Sequence, residues 1–374
     1  MTARAVLASR NGSTSEGFEA VVSALGYEIA DVLVADRAED NEYHLPPGMV
    51  ETLQTTIAEA GAEYLAIGGV VHEGQMVDLE LALPSVQIRD RRGVVWERLA
   101  EGGNSAAQAR LALQERRIER RMARHEQRSE STTGPSGTSG TVADRDRACT
   151  QQAQTLADEQ AAVRQRITES YDHIETHITV VGPLTAPTTD CWAAITGEAV
   201  ESGPLRPAIP KTALAEIGPH SVGVTVTPGL PLGEAEWVAD AVPGTVAAIE
   251  RAEVLLAVEC ADESVSLLPD GKFDGTIIEC PAPEDPTNPE QRDDWGTRLS
   301  AEIQSELPTI ELAVSLPYSD EGHAMVSTLH EHAAVETVNY DETIQLVVES
   351  PASAAESLGR QIKASGGDYL ERSS

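Results

Sequence analysis

Lysine and aromatic residues are scarce in this chain of 374 residues. Only three of its 27 basic residues are lysine, and it has two Phe, seven Tyr and four Trp. Its 61 acidic residues leave a net charge of −34. Clear apolar periodicity, described below, excludes a disordered acidic chain. An acid excess with little lysine instead predicts a soluble, halophilic type of protein, suited to a salt-rich cytoplasm.

Long apolar runs and paired cysteines are also missing. No run of about 18 apolar residues occurs, so we expect no membrane-spanning helix. The first ten residues, MTARAVLASR, contain no apolar signal-peptide region, which predicts a cytoplasmic location. The four cysteines lack CxxC spacing, which excludes a zinc site of that type, and we expect no resident metal ion.

Short apolar runs alternate with helix-like segments along the first hundred residues. The predicted strands are 4–8, 28–35, 64–67 and 86–89, and the predicted helices between them are 15–25 and 47–60. Strands that alternate with helices are typical of a parallel sheet covered by helices. The sequence therefore predicts an α/β fold class for this part of the chain.

A basic segment follows this alternation. Residues 89–128 carry eleven Arg against six acidic residues, a net charge of +5, while the rest of the chain carries −39. Residues 106–128 contain no Gly or Pro and predict a long helical arm with a basic face. Its outward arginines are candidate RNA-binding residues: Arg116, Arg117, Arg120, Arg121 and Arg124. The alternative is a solvated face in which they pair with Glu115, Glu119 and Glu126, and the sequence leaves both open.

A segment rich in Ser, Thr, Gly and Pro ends the first unit, which we place at 1–128. Residues 129–142 predict a flexible linker. A second α/β unit is predicted over 143–306, with a leading helix at 144–171 and a strand at 177–181. A small α+β unit is predicted over 307–374.

The strand at 177–181 leads into GPLTAPTT at 182–189 and then into a helix, which is the arrangement of a phosphate-binding loop. Collinear stretches on both sides resemble the HflX family of ribosome-associated GTPases. They include YHLPPG at 43–48, VQIRDRRGVVWERLAEGG at 86–103 and PGTVAAIERAEVLLAVECAD at 243–262. The resemblance covers nearly the whole chain. It implies an N-terminal α/β domain with a helical arm, a GTPase-type α/β domain and a small C-terminal α+β domain.

The positions that would bind GTP and Mg²⁺ in this family are mostly replaced. A working loop reads GxxxxGK[ST], but Pro187 and Thr188 stand at the second glycine and the lysine. Val226 stands where the family's DxxG motif has its aspartate, and ECPA at 279–282 stands at the NKxD motif. The switch I segment, PLRPA at 204–208, lacks its threonine. The vestigial nucleotide-binding positions implied by the resemblance are Gly182, Thr188, Thr189 and Gly229.

Thr188 and Thr189 have two interpretations. Either hydroxyl can cap the following helix at its N-terminus, which is the more common role of threonine there. The free amides and the dipole of the same helix end can instead bind an anion. The sequence favours capping and leaves anion binding open.

The resemblance implies association with the large ribosomal subunit or rRNA, and neither a membrane nor a DNA partner. Because several motifs fail together, we expect a pseudo-GTPase binding module that has no catalytic residues and retains neither GTP nor Mg²⁺. The alternative is a divergent GTP-binding protein or GTPase that has rebuilt its phosphate site.

Overall fold

The computed structural model describes residues 2–14, 16–131, 139–170, 174, 176–199, 201–230, 244–258, 273, 275–340 and 342–372. These residues form three β-sheets with helices packed against them. The α/β fold class predicted from the sequence is confirmed. No helix within the described ranges is long and apolar enough to cross a lipid bilayer.

The first unit is a four-stranded parallel sheet in the order β2-β1-β3-β4. Its strands are β1 (Arg4–Ser9), β2 (Glu28–Val34), β3 (Tyr64–Ile67) and β4 (Gln87–Asp90). Its helices are α1 (Glu16–Ala24), α2 (Pro47–Ala60), α3 (Glu73–Ala82) and α4 (Arg91–Glu101). The central strands β1 and β3 are buried on both faces, as continuous apolar runs indicate. One face packs against α1 and α4, and the other packs against α2 and α3.

The arm is a pair of antiparallel helices, α5 (Ser105–Ser131) and α6 (Ser139–Ser170). The Cys149 thiol donates to the Arg116 carbonyl at 3.2 Å, and Leu113 packs near Leu156. The predicted linker 129–142 is therefore too long, because 129–131 end α5 and 139–142 begin α6. Helix extends beyond a packed segment at little cost per residue, so polar composition alone did not stop it. Residues 132–138 of the predicted linker lie outside the described residues.

The second unit is a five-stranded sheet in the order β6-β7-β5-β8-β9, parallel except for β6. Its strands are β5 (Thr176–Val181), β6 (Lys211–Ile217), β7 (His220–Val226), β8 (Val254–Val258) and β9 (Thr276–Cys280). Its described helices are α7 (Thr188–Thr196), α8 (Thr245–Arg251) and α9 (Pro289–Glu306). The first and second units share one hydrophobic core, in which Phe18 and Leu99 join Leu184, Leu230 and Leu255. A division into separate domains at the predicted borders stays a prediction.

The third unit is an antiparallel βαββαβ sheet in the order β11-β12-β10-β13. It comprises β10 (Thr309–Pro317), α10 (Asp320–His332), β11 (Ala334–Tyr340), β12 (Thr343–Pro351), α11 (Ala352–Ala364) and β13 (Asp368–Arg372). Its own core contains Leu312, Leu346 and Leu358. The predicted small α+β unit is present at this end of the chain.

Candidate functional site

The loop between β5 and α7 occupies the position of the predicted phosphate loop. Gly182 lies where this loop folds tightly, since an added Cβ would be 2.8 Å from the Ala186 Cβ and 3.0 Å from the Val258 carbonyl oxygen. Ala186 lies in the same loop, and Val258 lies at the end of β8. The glycine is therefore required for close packing of the loop on its own residues and on β8.

The backbone amides of this loop bond to the loop's own carbonyls. Ala186 N–H donates to the Pro183 oxygen at 3.1 Å, and Thr188 N–H donates to the Ala186 oxygen at 2.8 Å. Thr188 and Thr189 are 2% and 4% exposed. A working phosphate loop turns such amides toward the ligand, whereas this one uses two of them internally.

The N-cap of α7 is Pro187, and no side chain caps the helix. The expectation that Thr188 or Thr189 serves as the N-cap is therefore wrong, because both residues already lie inside the helix. Because Pro187 is itself the N-cap, the helix begins at Thr188, one residue earlier than a Thr188 cap would require.

Leu184 closes the loop on its outer side. Its side chain is 8% exposed and belongs to the shared core with Phe18 and Leu230. An added Cβ on Gly17 of α1 would be 3.4 Å from the Leu184 Cβ. Helix α1 of the first unit therefore packs directly on the loop that would bind phosphate in the second unit.

The segment at the DxxG position is fixed to the same loop. The Leu230 N–H donates to the Gly182 oxygen at 2.8 Å, and Gly229 approaches so closely that a Cβ would be 2.8 Å from the Pro183 oxygen. The Thr227 hydroxyl donates to the Val180 oxygen at 3.0 Å. The structure thus brings Gly182, Thr188, Thr189 and Gly229 together as a packed junction.

The segment at the switch I position docks on the first unit. Leu205 is fully buried, and the buried Arg206 side chain donates to the Arg98 oxygen at 2.9 Å. The buried Asn104 amide donates to the Ala208 oxygen at 2.8 Å. These contacts hold residues 204–208 against α4 and the start of α5. The segment at the switch I position is therefore fixed to the first unit by buried contacts.

The five arm arginines lie on one helix and remain partly exposed, between 28% for Arg120 and 54% for Arg121. Arg116 pairs within its own helix, with Glu119 at 3.0 Å. The other four face carboxylates of α3 and α6. Their ion pairs are Arg117, Arg120 and Arg121 with Glu73 at 3.6, 3.8 and 3.9 Å, and Arg120 and Arg124 with Asp146 at 3.8 and 2.9 Å.

These ion pairs leave the arm basic. Three guanidinium groups share the single carboxylate of Glu73, and exposed pairs of this kind contribute about 0–1 kcal/mol each. A cavity of 330 Å³ beside them is lined by Arg120, Arg121, Arg124 and His125 together with Asp78. Helix α3 was not among the helices predicted from the sequence, so its contact with the arm could not be predicted either.

The carboxyl edge of the first sheet holds polar groups that the sequence analysis did not single out. Asp90 is 3% exposed and accepts hydrogen bonds from the Gly93 and Val71 amides at 2.9 and 3.2 Å. Burial raises the pKa of its carboxyl group, and these hydrogen bonds act in the opposite direction. His44 is 2% exposed, lies 3.3 Å from a Glu39 oxygen, and has its pKa lowered by burial. The sequence feature that could have identified Asp90 is its position as an acidic residue directly after the predicted strand 86–89.

Comparison with known proteins gives weak likenesses. No protein-family model and no curated protein sequence matches the chain. A solved structure of SsGBP with GDP is 14% identical at a TM-score of 0.43, covering 81% of this chain and 90% of that one. A GTP-binding protein from the archaeon Sulfolobus solfataricus, in complex with GDP, is 13% identical at a TM-score of 0.41, covering 80% and 89%. A structure of ZnuA matches at a TM-score of 0.18 and 10% identity, covering 81% and 99%. TM-scores below 0.5 do not bear on the ligand of this chain.

Proposed function

We propose that this protein is an HflX-like RNA-binding module that docks on the large ribosomal subunit through helix α5. The observation that carries the proposal is the group of five partly exposed arginines on α5, which share few carboxylates in a chain of net charge −34. Because the rest of the chain repels nucleic acid, a local basic face is the surface that polyanionic RNA would approach.

Short-range contacts would supply the affinity. In a salt-rich medium the Debye length is about 3 Å at 1 M, so long-range attraction is screened. A guanidinium group can still bind a phosphate through two parallel N–H···O bonds, and it is less strongly hydrated than an ammonium group. An RNA phosphate would replace Glu73 or Asp146 as the partner of an arm arginine, since these carboxylates bind the guanidinium groups in exposed ion pairs.

Co-sedimentation with purified large ribosomal subunits tests the proposal. The test variant changes the three most exposed arm arginines, Arg116, Arg121 and Arg124, to Gln. The charge-matched control changes Arg4, Arg292 and Arg372, which are 46%, 37% and 63% exposed on other elements. We expect the arm variant to lose at least about tenfold in affinity while the control stays near the parent, since each charged hydrogen bond contributes about 1.5–3 kcal/mol. Equal pelleting of both variants in concentrated KCl would refute the role of the arm.

The absence of nucleotide turnover belongs to the same proposal. The internal hydrogen bonds of the β5–α7 loop and the buried position of Thr188 support it. We expect GTP with Mg²⁺ to bind no more tightly than about 1 mM, because losing two charged phosphate contacts weakens binding by roughly two to four decades. Micromolar affinity in a calorimetric titration would favour the alternative, a divergent GTP-binding protein.

A further inference from the structure

Two exposed tyrosines flank a histidine at one end of the third unit. Tyr318 follows β10, His323 lies near the start of α10, and Tyr340 ends β11. The Tyr318 ring contacts the His323 ring edge-on, with 5.0 Å between centroids, and the His323 and Tyr340 rings are nearly parallel at 6.3 Å. Tyr318 is 62% exposed and Tyr340 is 52% exposed. We call these three residues the tyrosine surface.

The backbone holds Tyr318 and His323 in these exposed positions. The Ser319 hydroxyl accepts a hydrogen bond from the Gly322 amide at 3.1 Å and caps α10. A side chain on Gly322 would collide with the Pro317 oxygen, so the helix begins directly against the end of β10. The His323 Nδ1 lies 2.8 Å from the Ser319 oxygen, which orients the imidazole ring. The tyrosine surface is therefore built on a turn and a helix start that hydrogen bonds fix in place.

The outer ring faces of the two tyrosines are available to a ligand. Tyr318 and Tyr340 are the only aromatic side chains among the exposed large hydrophobic residues of the described ranges. Tyr369 of the same unit differs, because the Lys363 ammonium group lies 5.2 Å from the centre of its ring. Among the described residues, no such cation lies over Tyr318 or Tyr340. The face of an aromatic ring carries negative electrostatic potential and attracts cations.

The charge around the tyrosine surface is also negative. Residues 299–359 contain eleven acidic residues and neither Lys nor Arg. Asp320 precedes His323 by three residues on α10, which places both on one face of the helix, and Glu342 lies in the turn after β11. Neither carboxylate forms an ion pair with another residue that the structure describes. This local charge repels RNA phosphates and attracts a basic partner.

We propose that the tyrosine surface binds arginine side chains of a basic segment in a partner protein. A guanidinium group is planar and weakly hydrated, so it stacks on the faces of Tyr318 and Tyr340 more readily than the ammonium group of lysine. Asp320 and Glu342 supply the opposite charge beside these faces. A base of single-stranded RNA also stacks on tyrosine, but its phosphate groups would lie among these carboxylates. The proposal does not depend on the RNA-binding role of α5, which carries charge of the opposite sign.

Fluorescence anisotropy with the purified full-length protein tests this surface. The probe is a fluorescein-labelled peptide of alternating Gly and Arg, in about 0.3 M KCl, where a Debye length below about 8 Å screens non-specific attraction to the acidic chain. We expect a dissociation constant below about 0.1 mM. The same peptide with Lys in place of Arg should bind at least about threefold more weakly. Absence of binding, or equal binding of the two peptides, would overturn the proposal.

The double variant Tyr318→Leu with Tyr340→Leu removes both ring faces and leaves the charge unchanged. We expect it to bind the arginine peptide about fivefold to thirtyfold more weakly, because two exposed cation–π contacts are lost. If the double variant does not fold, each single variant should lose about twofold to fivefold. The control is Tyr43→Leu, at a partly exposed position of the first unit, which should stay within about twofold of the parent. Unchanged peptide binding by the tyrosine variants would refute the proposal.

A matched pair of acidic residues separates the local site from the net charge. Asp320→Asn removes a carboxylate beside His323, whereas Glu356→Gln removes one from an exposed position of α11. We expect the first change to weaken peptide binding about threefold and the second to leave it within about 1.5-fold. Equal effects would show that the peptide follows the overall charge, which contradicts a site at the tyrosine surface.

A fluorescein-labelled single-stranded oligouridine tests the other class of partner. We expect the parent and the double tyrosine variant to bind it equally, because the negative charge around the tyrosine surface disfavours RNA there. If the double variant loses oligouridine binding and keeps peptide binding, the tyrosine surface binds RNA and the proposed protein partner is wrong.

Discussion

The first and second sheets of this protein differ at the carboxyl ends of their parallel strands. In the first sheet, β4 ends in a buried carboxylate, Asp90, which caps α4 and lies beside an arginine-lined cavity. In the second sheet, β5 ends in a loop that buries Leu184, and α7 begins after Pro187 with no side-chain cap. The strand arrangement at such an edge provides a crevice, but the loop side chains decide whether the crevice holds polar groups or closes.

We expect the largest effect from Thr188→Lys, which restores the lysine of a phosphate loop. Thr188 is 2% exposed, and its Cγ2 lies 2.9 Å from where a Gly182 Cβ would be, so the ammonium group has no solvated space. We expect the free energy of unfolding to fall by about 3–5 kcal/mol, the cost of an unpaired buried charge. Urea unfolding measures this change, with Thr55→Lys at an exposed position of α2 as the control. Stable Thr188→Lys protein that gains GTP affinity would mean that the loop is an open phosphate site.

The next prediction concerns the polar edge of the first sheet. Asp90→Ala leaves the Val71 and Gly93 amides without an acceptor and removes the cap of α4. We expect a loss of about 2–3 kcal/mol in the free energy of unfolding. The matched change in the second sheet is Asp190→Ala, which removes an acid from the first turn of α7. Interaction with the helix dipole alone predicts a loss of about 0.3–1 kcal/mol there. Equal losses would erase the distinction between the two edges.

Much of the fold could be predicted because its inner strands are short apolar runs separated by polar turns. The strands at 4–8, 64–67 and 177–181 correspond to β1, β3 and β5, which are buried on both faces. The edge strand β13 was missed because its residues are mostly exposed, Leu370 among them, and an edge strand needs no apolar run. Strand β6 was missed for a related reason, since its Leu214 is 61% exposed.

The candidate sites were less predictable, because their partners are distant in sequence. Glu73 and Asp146 lie on different helices from the arginines they pair with, and no local spacing indicates such contacts. The failed GTPase motifs could be identified from residue chemistry at Pro187, Thr188 and Val226. The packing of α1 on Leu184 could not, because it depends on how the two sheets share one core.

The smallest expected effect concerns the pH dependence of stability, to which one buried histidine beside each sheet contributes. His44 lies beside the carboxyl edge of the first sheet, and His220 begins β7 in the second. Burial lowers the pKa of both side chains, although Glu39 beside His44 and Glu349 near His220 act to raise it. A histidine whose folded pKa is lowered stays neutral while the unfolded chain takes up a proton. The neutral histidine therefore contributes fully to the stability of the folded protein above the ordinary histidine pKa of about 6.5, and this contribution is lost as the pH falls below that value.

We accordingly expect the urea concentration at the unfolding midpoint to decrease as the pH is lowered from about 7.5 to about 5.5. Each such histidine should lower the free energy of unfolding by at most about 1.4 kcal/mol per pH unit. His44→Gln and His220→Gln should each reduce this acid sensitivity, because glutamine does not titrate. His330→Gln, at an exposed position of α10, is the control and should leave the dependence as it is in the parent. If only His44→Gln has an effect, the acid sensitivity belongs to the polar edge of the first sheet. If neither variant differs from the His330→Gln control, the two buried histidines do not determine how this fold responds to acid.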